Sequence, residues 1–577
     1  MPEKNRFSLL LSLGAAVLIV SGGIAFYWLL WQRSRLPGDT LLTAQLIPQE
    51  ALAVASISTD SAQWQQLRQY GTPETKVALE KHLKQLQEEL LQANGYNYLE
   101  DIEPLLGKTA MVAYLPDVTP EVKAGKVLLP PQPRKLLPEL VVVPIENPLQ
   151  AQQLLTQAKS QKAKSWLERT YKGIKIVEIQ NSGSQNYSAT ILESFLVVSN
   201  NQKITERVID TYKGKPSVAA TPGYQEKLNQ IKVSEPFAQI YLNMPALLAA
   251  AVANSQQEFS PQNLLAGKQR QGIAAKVTLE SEGIRWHSIS WLKPESTQKY
   301  RLENRNGNLS KLLPANTLSM FSGGNLAQLW QDYAAGANSN PLLPRQLAKV
   351  SAGLKATLGL DLEQDLVPWT RGEFSLALIP ASQETIATED NQLSPPLGAG
   401  VVLMVKTSDR SFAEATFQKL DQVMATRYEF SVEETELDGQ PVVNWTSPLG
   451  GISVTHGWLE DELVFLTLGA PIASTIIPQP QGILTQAPLF QRTLPTKPKP
   501  NNGQFFLDVE RTINSGKLNL PKLTEPQQMW TKAIRAIGLT VAIRDERTTG
   551  FELFVKLKTA RKTKASPKPE HSVSPSP

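Results

Sequence analysis

The sequence predicts an α+β protein: an N-terminal transmembrane helix followed by two tandem homologous domains, each a mainly antiparallel sheet with covering helices. Three observations predict this arrangement. An uncharged segment lies near the N-terminus, sequence blocks recur in the same order, and short β-branched runs alternate with amphipathic stretches. With 577 residues, the chain is long enough for more than one domain with its own core.

The uncharged segment predicts a membrane anchor. Residues 7–32 carry no charged side chain, and as a helix they would cover roughly 39 Å, enough to cross a hydrocarbon core of ~30 Å. Tyr27, Trp28 and Trp31 crowd its C-terminal end, as is typical of a membrane interface. The segment is longer than the apolar part of a signal peptide. We therefore expect a short cytoplasmic N-terminus (residues 1–6), a single pass through the lipid bilayer at residues 7–32, and a body outside the cytoplasm.

Recurring blocks indicate an internal duplication. Residues 187–190 match residues 452–455, and residues 239–243 match residues 504–508, in both cases at an offset of 265 residues. Matches in the same order at one offset indicate two related units, each too long for a solenoid repeat. The sequence thus predicts a first α+β repeat domain at residues 40–296, a linker at 297–304, and a second at 305–558.

Each half combines strand and helix signals. β-branched runs predict strands at residues 109–115, 140–145, 174–179 and 194–199, and at 373–379, 400–405, 441–446 and 463–468. Thr72-Pro73-Glu74 predicts the start of a helix that runs to Asn94-Gly95. Shorter helices are expected after Asn147-Pro148 and Ser408-Asp409. Short hairpins between strands favour antiparallel pairing.

The net charge of +5 is carried by the C-terminal end. Residues 556–577 hold six basic residues against Glu570, so the rest of the chain is neutral. The composition predicts a disordered, Pro/Ser-rich basic tail at residues 559–577. Such a tail can touch an acidic partner or anionic lipid, although a solvated end is the simpler interpretation. A basic folded surface for nucleic acid is not implied, and no nucleic-acid partner is expected.

Composition excludes several kinds of site. The chain has no cysteine and four scattered histidines, which excludes disulfides and thiolate chemistry and argues against a histidine metal centre. Gly107-Lys108 resembles the end of a phosphate-binding loop. Such a loop needs a second glycine five residues before Gly107, and that position holds Ile102. Ser296-Thr297-Gln298-Lys299 fits a Ser-x-x-Lys pattern without its companion motifs.

The remaining candidate residues have simpler structural interpretations. His287 and His456 lie beside tryptophans, His456 in an expected hairpin turn, and His82 is expected on an exposed helix surface. Glu460-Asp461-Glu462 predicts a solvated hairpin tip rather than a cation site. The sequence therefore predicts no catalytic residue, no cofactor-binding residue, no metal ligand and no cofactor.

The duplicated body, the anchor and the blocks at residues 46–58, 99–116 and 236–247 resemble an uncharacterised cyanobacterial membrane-protein family, domain-of-unknown-function family 3352. The resemblance covers nearly the whole chain except the tail. It implies a plasma or thylakoid membrane location and brings no established functional residues.

These observations favour a non-catalytic binding or assembly module that faces the periplasm or lumen. The first alternative is a carrier or sensor of a lipid or other apolar ligand, and the second is a hydrolase whose site is assembled from distant positions. A continuous apolar cavity in each half would indicate a carrier. Filled cores with an exposed apolar patch would indicate a module that binds protein partners.

Overall fold

The computed structural model describes residues 40–90, 107–116, 122–123, 126–127, 139–156, 163–181, 187–253, 268–305, 307–334, 347–381, 398–448, 451–494, 500–514, 518 and 523–559. The predicted anchor at residues 7–32 and the tail beyond Thr559 lie outside these residues.

The described chain contains twenty-two strands. They are β1 (Ala53–Ser58), β2 (Thr109–Tyr114), β3 (Val122–Lys123), β4 (Lys126–Val127), β5 (Leu140–Pro144), β6 (Ala163–Tyr171), β7 (Ile174–Asn181), β8 (Tyr187–Leu192), β9 (Phe195–Ser199), β10 (Ala238–Asn243), β11 (Arg270–Glu280), β12 (Gly283–Leu292), β13 (Ser319–Gly323), β14 (Phe374–Pro380), β15 (Ala399–Lys406), β16 (Ser431–Leu437), β17 (Gln440–Thr446), β18 (Ser453–Glu460), β19 (Leu463–Gly469), β20 (Gly503–Asp508), β21 (Ile534–Asp545) and β22 (Thr548–Leu557).

The α-helices lie between these strands. They are α1 (Thr40–Ala44), α2 (Ser61–Gln69), α3 (Pro73–Leu90), α4 (Pro148–Thr156), α5 (Gln202–Tyr212), α6 (Tyr224–Gln230), α7 (Met244–Ala253), α8 (Leu326–Ala334), α9 (Leu347–Leu358), α10 (Arg410–Arg427), α11 (Pro488–Thr493) and α12 (Glu525–Ala533). Local sequence explains their starts: the side chain of Asp409 accepts a hydrogen bond from the Phe412 amide and caps α10.

Twenty strands form one sheet, and β3 and β4 form a separate pair. The pairings give the spatial order β6-β7-β8-β9-β5-β2-β1-β10-β11-β12-β22-β21-β20-β13-β14-β15-β19-β18-β17-β16, with every neighbouring pair antiparallel. The chain before residue 300 supplies the first ten strands of this order and the chain after it supplies the last ten.

The two sets of ten strands have the same order, and they meet where β12 pairs with β22. In that pairing His287 lies opposite Glu552, 265 residues further along the chain. This is the offset of the sequence repeat, so at this one position of the pairing His287 and Glu552 are each other's counterparts in the repeat. An approximate two-fold axis therefore passes between His287 and Glu552, perpendicular to the sheet.

The predicted fold class is wrong in its division into two separate sheets. The two halves do not form separate sheets, because β12 and β22 pair over nine register positions and join all twenty strands. In the part of the chain that the structure describes, no helix is long and apolar enough to cross a membrane. The anchor predicted at residues 7–32 lies outside that part.

Buried residues lie on both faces of the sheet. Alternate residues of β12 point to opposite faces, so we refer to the Trp286 face and the His287 face. On the Trp286 face, α2 packs on the first half through Trp64, and α10 packs on the second half through Phe417. On the His287 face, the first-half core includes residues of α5 and α6, and the second-half core includes Phe490 of α11.

Candidate functional site: a polar row and an apolar strip

A row of polar side chains crosses the middle of the sheet on the His287 face. Each member is the register partner of the next, on nine neighbouring strands: Ser56, Gln239, Lys276, His287, Glu552, Thr540, Gln504, Ser322 and Ser375. Directly opposed residues share a face, so these side chains form one line about 38 Å long at ~4.8 Å per strand. We call it the polar row.

The polar row is nearly symmetric about the two-fold axis. Serine and glutamine occur at matching places on both sides, as Ser56 with Gln239 and as Ser322 with Gln504. Ser56, Ser322 and Ser375 are buried, and their hydroxyls have no hydrogen-bond partner among the described residues. Since a buried hydroxyl without a partner costs about 1–3 kcal/mol, the outer parts of the polar row weaken the fold rather than stabilise it.

Charged groups concentrate at the centre of the row. Glu552 Oε2 lies 3.5 Å from His287 Nδ1, and Glu552 Oε1 accepts a 2.8 Å hydrogen bond from Arg285. Arg285 also pairs with Glu280 and lies 4.2 Å from the ring centroid of Phe554. The hydrogen bond from His287 and the charge of Arg285 hold the pKa of Glu552 below its ordinary value, against the opposing effect of burial.

Lys276 is the neighbour of His287 in the row. Partial burial lowers the pKa of its ammonium group, and the nearby charge of Lys232 lowers it further. Lys276 has no carboxylate within salt-bridge distance among the described residues. The centre of the row therefore holds a half-buried cation beside a closed network of two carboxylates, an arginine and a histidine.

The depressed pKa of Glu552 predicts a pH effect on stability. The ionised form is stabilised in the folded state, so its contribution is present above about pH 4.5 and is lost as the pH falls through the lower folded-state pKa. We expect Glu552→Gln to flatten the pH dependence of the unfolding free energy below pH 4.5. Urea denaturation between pH 3 and pH 6 measures this, with the exposed Glu295→Gln as control. Parallel curves for Glu552→Gln and the wild type would contradict the assignment.

A second histidine is enclosed on the other face. His456 lies inside β18, not in the hairpin turn that the sequence predicted. Its Nε2 lies 2.8 Å from Asp421 Oδ1, which also accepts a 2.6 Å hydrogen bond from Trp445 Nε1. Its ring stacks on Phe417 with 4.7 Å between centroids. Because the His456 side chain is only 8% exposed, this arrangement ties α10 to the sheet and leaves no room for a substrate.

A cleft of about 260 Å³ lies between α5 and the loop before β1, and it is lined by Gln49, Glu50, Arg207, Thr211, Lys215 and Pro216. Arg207 on its wall pairs with Glu50 at 2.6 Å, and Lys215 pairs with the buried Asp210 at 2.7 Å. The basic groups of this cleft are therefore neutralised within the chain.

An apolar strip lies on the Trp286 face of the second half. Two neighbouring rows cross five strands, β19, β15, β14, β13 and β20. Nine of the ten positions are apolar: Leu466, Leu403, Leu376, Phe321 and Phe505 in one row, and Leu468, Val401, Leu378, Ser319 and Leu507 in the other. None of the ten is fully buried, and Leu376 and Leu468 are 42% and 52% exposed.

The first half provides a matched comparison for this strip. The positions equivalent to Leu376 and Phe321 are Val112 and Ala55, which are 1% and 2% exposed beneath α2. The positions equivalent to Val401 and Leu468 are Glu139 and Asn200. The same fold thus makes a covered surface with a polar end in one half and a partly exposed apolar surface in the other, where Phe321, Leu403 and Leu466 pack against the neighbouring core and Leu376 and Leu468 are exposed.

The motifs considered from the sequence have structural roles. The Gly107 amide donates to the Pro144 carbonyl at 2.8 Å, in a turn that leads into β2. Ser296 Oγ accepts from the Gln298 amide, and Lys299 pairs with Glu546. Asp461 is fully exposed at a hairpin tip. The side chain of His82 lies outside the described part.

Sequence reasoning missed both the polar row and the strip. Successive side chains along β12 point to opposite faces of the sheet, so the sequence does indicate that Trp286 and His287 lie on different faces. The identity of the neighbouring strands depends on register across ten strands, and local patterns do not carry that information.

Comparisons with known proteins support the family and no activity. No curated protein matches the chain. Two solved structures of TP0453 show weak similarity: crystal form III has 11% identity, a TM-score of 0.23, and coverage of 45% of this chain and 82% of that chain. Crystal form I has 9% identity, a TM-score of 0.24, and coverage of 44% and 80%. A family model described as "Protein of unknown function (DUF3352)" matches residues 11–557, which confirms the predicted resemblance, and the chain belongs to this family.

Proposed function

We propose that this chain is a non-catalytic assembly module that binds an amphipathic helix of a partner protein on the apolar strip. The observation that carries the proposal is the contrast between the two halves. Leu376 and Leu468 are exposed where the first half has the buried Val112 and the polar Asn200. Exposed apolar surface costs free energy in water, and an apolar group that covers it gains about 25 cal/mol per Å².

The size of the strip favours a single helix as the occupant. Five strands at ~4.8 Å and two rows ~7 Å apart give a surface about 20 Å long and 10 Å wide. This is the width of one α-helix and the length of about 13 residues at 1.5 Å per residue. It is well below the ~800 Å² per partner that a stable interface between two globular surfaces needs.

The chemistry of the strip indicates the character of this helix. Of its ten positions only Ser319 is polar, and none is charged. A partner helix with apolar residues at i, i+3, i+4 and i+7 would meet it with one face and keep its charged face in water.

Residues at the equivalent positions of the first half provide the test variants. Val401→Glu and Leu468→Asn place the residues of the first half at the equivalent positions of the second. Because both positions are partly open, we expect unfolding free energies within about 0.5 kcal/mol of the wild type. The control is Leu149→Asn, at a leucine that is 74% exposed and outside the strip.

The experiment has two steps. A photo-crosslinker at position 376 identifies the contacting segment in cell extracts, and a synthetic peptide of that segment is then titrated against purified protein. We expect a segment with one apolar helical face, binding that weakens at least tenfold in Leu468→Asn, and unchanged binding in Leu149→Asn.

Three outcomes would overturn the proposal. One is equal peptide binding by Leu468→Asn and the wild type. Another is the absence of any crosslinked polypeptide. The third is native mass spectrometry that shows a retained, solvent-extractable mass of several hundred daltons, which would favour a carrier of an apolar ligand.

A further inference from the structure

The sheet ends at β16 with a strand of concentrated negative charge. Five exposed carboxylates lie in ten residues, with no basic residue among them: Glu429, Glu433, Glu434, Glu436 and Asp438. None forms an ion pair with a basic side chain within the described residues. We call this feature the acidic edge. Among the described strands β16 pairs with β17 alone, so its outer backbone groups face no strand in that part of the chain.

The other end of the sheet differs. The edge strand β6 carries Lys164, Glu168 and Arg169, and Arg169 is engaged with Glu178 and Glu206. At the position equivalent to Glu433 it has Leu167. The acidic edge is therefore a property of the second half and not of the repeated fold.

The C-terminal end of the chain carries complementary charge. After the last described residue, Thr559, the sequence continues Ala-Arg-Lys-Thr-Lys-Ala-Ser-Pro-Lys, with four basic residues and no acidic one at residues 560–568. We call residues 560–568 the basic run. It has no proline before Pro567, so residues 560–566 can pair as a strand. Lys562 and Lys564 are two residues apart, as are Glu434 and Glu436, which matches the period of side chains along a strand.

The basic run is too far from the acidic edge of its own chain. Thr559 is fixed by a bridge to Tyr70 at the end of β22, and β16 lies nine strands from β22, about 43 Å along the sheet. Lys568, the last residue of the basic run and nine residues beyond Thr559, reaches at most about 32 Å further.

We infer that the basic run of one copy adds as a strand to the acidic edge of a second copy. The contact uses two different surfaces, so it joins copies head to tail. Backbone hydrogen bonds provide the pairing, and the Lys/Arg–Glu contacts select the partner and weaken with salt. This inference concerns a surface separate from the apolar strip and does not depend on the proposed function.

A peptide of residues 558–568 tests the contact directly. Its binding to the chain that lacks residues 560–577 is followed by fluorescence anisotropy at 50 mM and 500 mM NaCl. We expect saturable binding at low salt, at least tenfold weaker binding at high salt, and at least tenfold weaker binding to Glu433→Gln/Glu434→Gln/Glu436→Gln. The matched control protein is Glu226→Gln/Glu235→Gln/Glu295→Gln, which removes the same charge from exposed positions in the first half.

The full chain provides the second readout. Sedimentation velocity at low salt should show concentration-dependent association that is absent without residues 560–577 and absent in the triple variant of the acidic edge. Equal peptide binding to both triple variants would overturn the inference. So would a full chain that stays monomeric up to 100 times the dissociation constant measured for the peptide, or a peptide that binds only vesicles of anionic lipid.

Discussion

Replacing Gly283 with alanine is expected to destabilise the protein by about 3 kcal/mol, because the added methyl group would meet backbone atoms of the facing strand. Gly283 lies at the start of β12, opposite Lys556 of β22. A Cβ atom there would lie 2.1 Å from the Val555 carbonyl oxygen and 3.0 Å from the Lys556 Cα. Both are backbone atoms, so the strand that joins the two halves would have to move. Urea denaturation measures the loss, and hydrogen exchange should locate it in β12 and β22 amides.

The control for this substitution is Gly482→Ala. A Cβ at position 482 would meet only the Ala315 Cβ, at an ordinary 3.6 Å. We expect its unfolding free energy to stay within about 0.5 kcal/mol of the wild type. A Gly283→Ala protein as stable as Gly482→Ala would show that the close contact between β12 and β22 is incorrectly placed.

Replacing Glu373 with alanine is also expected to lower the unfolding free energy by about 3 kcal/mol. One oxygen of this buried carboxylate accepts hydrogen bonds from three consecutive amides, Gly307 and Asn308 at 2.7 Å and Leu309 at 3.2 Å. These amides lie where the chain enters the second half. Alanine would leave all three without their acceptor in a partly buried place, and the segment would lose its anchor. Urea denaturation gives the free energy, and amide exchange at residues 307–309 gives the location.

Glu373→Gln separates charge from hydrogen bonding. Glutamine keeps one acceptor oxygen but loses the ionic strengthening, so we expect a loss of about 1 kcal/mol, smaller than that of alanine. Equal losses for the two variants would show that the acceptor oxygen is not what anchors this segment.

Local patterns predicted many strands but not how they assemble. The runs predicted at residues 109–115 and 463–468 are strands Thr109–Tyr114 and Leu463–Gly469. The single sheet depends on the pairing of β12 with β22, whose partners are about 265 residues apart. The local sequence of either strand does not specify which strand it pairs with. An internal repeat is equally compatible with two separate sheets.

The candidate surfaces depend on the same long-range register. Leu376, Leu403 and Leu466 come from three separate segments, and each alone is an ordinary strand leucine. The glycine that follows His456 predicts a hairpin turn at this histidine. In the structure, a Cβ at Gly457 would lie 3.0 Å from the Pro441 carbonyl oxygen, so this glycine allows close packing of β18 against β17.

The two-fold axis between His287 and Glu552 has an evolutionary consequence. If the duplicated unit once existed as a separate chain, the β12–β22 contact would have been the interface of a homodimer, with one residue facing its own copy across the axis. Two identical carboxylates or two identical imidazolium groups at that place would repel each other. Fusion of two gene copies lets the two positions diverge. A base can then face an acid at 3.5 Å, a pairing that no symmetric dimer can place on its axis.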